Sequence, residues 1–188
     1  MSQNQVPPSD AVKADAKVRF DFIARVHVYT HDYIRFADTK ASAILAACGF
    51  LFSGLFTRGD ALGTLIQKSP STYLTAIALS LGAGAVISLA ITVGFCVACI
   101  KPRLGSTGTG LVYWDQIANN VNYADAIANL SGDEAVKQVA DHVKVVSGIA
   151  QKKYGLVSNA LWCFCATLAL ALLFSITLIW MGASISPK

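Results

Sequence analysis

Apolar and small residues recur at alternating steps of four and three along the early chain: Ala16, Phe20, Ile23, His27, Thr30, Ile34, Ala37, Ala41 and Ile44. This spacing predicts one long helix with a heptad-like seam, uninterrupted by Gly or Pro from about Asp10 to Cys48. A second, bulkier stripe of Phe22, Val26, Tyr29, Tyr33 and Phe36 lies beside it, and Asp21, Arg25, Asp32 and Arg35 make the remaining wet face. A helix apolar on two sides is to be covered on two sides, by a later segment of the chain or by a second copy. A matching seam of Val136, Val139, Val143, Val146 and Ala150 leads through Tyr154 into the last apolar stretch. Ser131 with Glu134 forms a capping box at its start. Between the two seams, "LVYWDQIANN" and "VNYADAIANL" read as short helices.

Three segments, 41–57, 69–100 and 154–187, contain no Asp, Glu, Lys, Arg or His. Crossing hydrocarbon about 30 Å thick takes roughly 20 helical residues. The second and third segments meet this easily, and the first does so by borrowing Thr39 and Lys40, whose stem can snorkel. The expected order is a disordered or capping N-terminus at 1–9 and a cytoplasmic helix at 10–40 continuous with a first span at 41–57. An external loop at 58–72, a second span at 73–100, a cytoplasmic helical region at 101–155, a third span at 156–182 and an external tail at 183–188 follow. The fold class is an all-α membrane protein of three transmembrane helices, the long first and last helices extending into a small helical cytoplasmic region.

Composition agrees: of 188 residues, 54% are hydrophobic and only 14% charged, too few charges to wet a soluble domain of this size. Six Lys or Arg lie in 1–40 and six in 101–155, against two in 58–72 and one in the tail. The excess places the arm and the long loop in the cytoplasm, and the C-terminus outside. No signal peptide is expected, because mostly polar residues precede the first span.

Candidate chemistry is sparse. All five cysteines fall within spans, and "CVAC" at Cys96–Cys99 is read as packing rather than as a metal or redox pair. "GSTGTG" at 105–110, near Lys101 and Arg103, could cradle a phosphate, but it lacks the Lys-Ser/Thr ending of a P-loop and reads as a connector. His27 and His31 have the i,i+4 spacing of a metal pair. No glutamate follows His27, and a third ligand would have to come from His142 or an aspartate, so packing or solvation is the favoured reading. No nucleophile has an adjacent base, so no enzyme is expected, and no metal or cofactor. The spans lack the mid-membrane ionisable groups of a pump. They carry small residues instead, at Ser80, Gly84 and Ser88 and at Gly49 and Gly54, which favour close helix association.

Asp38 and Lys40 sit at the threshold of the first span. Lys40 suits the interface, whereas a carboxylate gains little at an anionic inner surface. Asp38 pairs either with Arg35 one turn back or with Lys152 or Lys153, which stand just before Tyr154 at the foot of the third span. The second arrangement could hold a closed state.

The chain resembles the transmembrane effectors of the Pycsar anti-phage system. The likeness lies in "ADTKASAIL" entering the first span, Pro102 with "GLVYWDQIA", and "GIAQKKYGLVSNAL" entering the third, and it extends from about residue 25 onward. The resemblance implies an antiviral effector of the bacterial inner membrane that senses a cyclic pyrimidine mononucleotide, cUMP or cCMP, and impairs the bilayer, with no nucleic-acid partner and with homo-oligomerisation expected. A ligand of that kind calls for cations, an aromatic shelf and an amide. By chemistry alone the cytoplasmic candidates are Arg25, Arg35 and Arg103 for phosphate, Tyr29, Tyr33, Tyr113 and Trp114 for stacking, and Asn119 and Asn120 for the base. A scaffold without nucleotide response, or an effector gated by a cyclic oligonucleotide, are the alternatives.

Overall fold

The computed structural model describes residues 10–68, 72–101 and 110–185, with side chains described from residue 17. The expected capping segment 1–9 and most of the Gly-rich connector lie outside the described residues. Five helices follow in order: α1 (Asp10–Lys68), α2 (Thr72–Ile100), α3 (Trp114–Asn119), α4 (Tyr123–Ala128) and α5 (Gly132–Ile185). No strand occurs among the described residues. Segments of α1, α2 and α5 are long and apolar enough to cross a membrane, and the chain is an all-α membrane protein. Two compact units divide it: one of residues 1–36 with 102–152, the other of residues 37–101 with 153–188.

The second unit is a three-helix bundle of α1, α2 and α5. Its inward residues keep the alternating four-and-three step: Ala37, Ala41 and Cys48 on α1, Ala85, Leu89, Thr92, Cys96 and Cys99 on α2, and Val157, Ala160, Thr167, Phe174, Leu178 and Met181 on α5 are all buried. That repeat of 3.5 residues per turn, short of the natural 3.6, is the signature of left-handed helix packing. One cluster gathers Ala37, Ala41, Cys96, Cys99, Val157 and Ala160; the other gathers Leu62, Ala78, Phe174, Leu178 and Met181.

The second cluster corrects the loop expected at 58–72, since α1 stays helical to Lys68. Arg58, Gly59, Asp60 and Gly63 carry loop chemistry, but Leu62 is buried and Leu55 and Leu65 pack at its sides. Tertiary packing overrides local propensity there. The small-residue expectation is met at one end only. Gly84 and Ser88 face α5, Ser88 donating to the Cys163 carbonyl at 3.0 Å. Ser80 is exposed, and Gly49 and Gly54 meet open space within the chain. Closest approach falls at Gly82, where an added Cβ would lie 3.3 Å from Phe174.

The first unit is built on the outer parts of α1 and α5, with α3 and α4. The Glu134 backbone N–H donates to Ser131 Oγ at 3.2 Å, so Ser131 caps the start of α5, the serine half of the predicted capping box. The seam holds here from Ile23 onward: Thr30 and Val146 are buried, Ile23, His27, Ile34, Val139 and Val143 half-buried, while Phe20 is exposed. A turn at 110–113 is pinned from two sides. Leu111 N–H donates to Gln138 Oε1 at 2.9 Å, and Tyr123 Oη donates to the Leu111 carbonyl at 3.0 Å. Gly110 has φ +153°, a conformation that side-chain-bearing residues avoid, and a Cβ there would meet Gln138 Oε1 at 3.3 Å. In the second stripe of α1, Phe22, Tyr29, Tyr33 and Phe36 are all more than half exposed, and Val26 is half-buried.

Candidate functional site

The most constrained polar group in the second unit closes the end where α1 and α5 enter the bundle. Lys153 Nζ donates to both oxygens of Asp38, at 2.5 and 2.7 Å. The lysine side chain is 7% exposed and the aspartate 34%, so the cation is the deeply held partner. Its position follows from the seam: Lys153 stands three residues after Ala150 and four before Val157, in the row that faces inward. A buried ammonium is tolerable only with a counter-charge in good geometry, and the bidentate carboxylate supplies one. Asp38 follows the fully buried Ala37 and reaches inward from the edge of α1.

Cys99 on α2 completes the group. Its Sγ lies 4.0 Å from Asp38 Oδ1 and 3.8 Å from the Lys153 carbonyl oxygen. All three helices of the bundle thus meet at one polar point, and the sequence reading of Cys99 as a packing residue captured half of its role. Its place two residues before Lys101, level with the ends of the other spans, was the available signal. Lys152 is exposed, so of the two candidate lysines Lys153 alone makes the contact. Lys40 lies outside the pair, its Nζ 5.8 Å from the centre of the Tyr154 ring, a cation–π arrangement at the same level.

In the first unit the proposed nucleotide contacts are dispersed. Arg25 and Tyr29 share one open face of α1 with Asp21, Ala24 and Val28. Tyr33 is exposed one turn further along α1, and Arg35 is also exposed. Tyr113 is turned inward, 8% exposed, its ring edge-on to His142 at 4.9 Å. Asn120 accepts the Asn122 backbone N–H through its Oδ1 at 3.0 Å, and Asn119 is exposed on α3. Arg103 and the side chain of Trp114 lie outside the described residues. His27, His31 and His142 come together beside Tyr113, with centroids 4.6 to 6.3 Å apart. Burial, and then the neighbouring rings, hold His27 and His142 below the ordinary histidine range.

What this arrangement can do is limited and specific. It can hold an ion pair at one end of the bundle, with the Cys99 thiol beside the carboxylate. Comparison with curated proteins and with solved structures finds no match. The chain does match the Pycsar effector protein domain, PycTM, across residues 22–181, a region that takes in the foot pair, the bundle and the histidines. It belongs to the Pycsar effector family, as a membrane effector of anti-phage defence.

Proposed function

We propose that the chain is a ligand-gated effector that senses cUMP or cCMP on the cytoplasmic side of the bacterial inner membrane and impairs that membrane's integrity without catalysing a reaction. The observation that carries this reading is the Lys153–Asp38 pair, set on two helices that each belong in part to both compact units. α1 and α5 each run without a helical break through residues of both units, so a ligand held on their outer parts acts on the same two helices that carry the pair. A ligand acts only through a difference in affinity between two states. Here the closed state has the pair made, and the open state parts the carboxylate from the ammonium.

The α1 face at Arg25 and Tyr29 is the favoured nucleotide position, the guanidinium serving the single phosphate and Tyr29 or Tyr33 the flat base. Orientation follows the basic residues, with the N-terminus cytoplasmic and the C-terminus external. Three helices enclose no wide pore, so several copies are required, and the exposed Phe22–Tyr29–Tyr33–Phe36 stripe suits self-association. The same stripe favours the second reading, a scaffold that docks a partner helix and ignores nucleotides.

Reconstituted liposomes loaded with a self-quenched dye separate these. Release on addition of cUMP or cCMP, with a raised basal leak in Asp38→Asn, is the expected result. Absence of release at saturating nucleotide sinks the gated reading, and release by cyclic oligonucleotides alone reassigns the ligand.

A further inference from the structure

We propose that His27, His31 and His142 form a three-imidazole binding site for a divalent transition metal, Zn²⁺ being the ion they suit best. His27 and His31 stand one turn apart on α1, and α5 supplies the third ring, the contribution that spacing along the chain could not establish. One ring nitrogen from each histidine lies within 4.8 Å of those of the other two. Tetrahedral zinc with bonds of about 2.0–2.1 Å sets its donors roughly 3.3 Å apart, so the rings close on an ion by small side-chain rotations.

A second observation points to a ligand. Among the described residues, His27 Nε2 and His142 Nδ1 are buried atoms with no hydrogen-bond partner. A buried polar atom left unpaired costs about 1–3 kcal/mol, and most such atoms in folded proteins are satisfied. A metal ion between the rings would satisfy them. Three nitrogen donors match zinc, copper, nickel or cobalt and do not match Mg²⁺ or Ca²⁺, which take oxygen ligands. His31 is the exposed member, so the fourth position opens on its side to water or an anion. Tyr113, held by the turn at Gly110, packs edge-on against the His142 ring at 4.9 Å.

The test uses the full chain, purified in detergent without a histidine tag and stripped with a chelator. Zn²⁺ is titrated with metal content as the readout, and Co²⁺ with its visible absorption. About one ion per chain is expected, with the intense band of four-coordinate cobalt and no competition from Mg²⁺. Each of His27→Gln, His31→Gln and His142→Gln should weaken binding at least about tenfold with helicity unchanged. Should either half-buried variant misfold, H31Q decides, because that side chain lies at the surface. Undiminished binding in H31Q, or none below about 100 µM Zn²⁺, overturns the proposal. Nucleotide response is no part of the readout, so this site and the gating reading stand or fall separately.

Discussion

The two units carry the same heptad spacing and fill it differently. In the bundle unit, α1 presents Ala37, Ala41 and Cys48 to its neighbours, each at most 2% exposed. In the other unit the same seam holds His27, Thr30 and Ile34, and the next face is a stripe of exposed aromatics. Small residues bring backbones together, whereas imidazoles hold them apart and leave nitrogen atoms between them. The period along the chain decides which residues face inward. Their identity decides whether the inward face is a seal or a place for chemistry.

The largest break in this contrast is expected at the Lys153–Asp38 pair of the bundle unit. Asp38→Asn should lower unfolding stability by roughly 3–5 kcal/mol, because it leaves the Lys153 ammonium buried without a counter-charge. Lys153→Met should cost less, since the remaining carboxylate is one-third exposed. Adding Lys153→Met to Asp38→Asn should recover most of the loss. Thermal unfolding in detergent measures all three, and equal losses in both single variants would contradict the asymmetry.

Next in size is Gly82→Val. Its side chain would be driven into Phe174, and a loss of about 1–3 kcal/mol is expected from overpacking. Gly49→Val, with open space around the glycine, is the control and should be near neutral. A smaller effect is expected from Ser131→Ala, about 1 kcal/mol, confined to the start of α5 and visible as faster amide exchange at Glu134. Least of all should Tyr29→Gln with Phe36→Gln disturb folding, within about ±0.5 kcal/mol. The pair of changes should instead reduce self-association in light scattering. A large unfolding penalty there would mean that the stripe is structural.

Much of this was legible in the chain. The seams, the second and third spans, both short helices and the capping box follow from local periodicity and termini, which one sequence displays. The choice between Lys152 and Lys153 was left open, although only Lys153 continues the row from Ala150 to Val157. The helical course of 58–68 was not legible, because Gly59, Asp60 and Gly63 are loop-like by themselves and the compensating partner of Leu62 is Phe174, far along the chain. Tyr113 was read as a stacking shelf, yet it is buried against His142, again through a contact between distant segments. The convergence of His142 on His27 had the same origin: each lies on or beside its own seam, but nothing local aligns the two helices axially.

A charged residue in an otherwise apolar row acts as a detent. Lys153 meets a carboxylate at one axial setting of α1 against α5. Sliding either helix by one turn, about 5.4 Å, would set the ammonium level with Ile34 or Ser42 instead. The bundle consequently has no gentle continuum of intermediate offsets along that pair: it clicks or it holds.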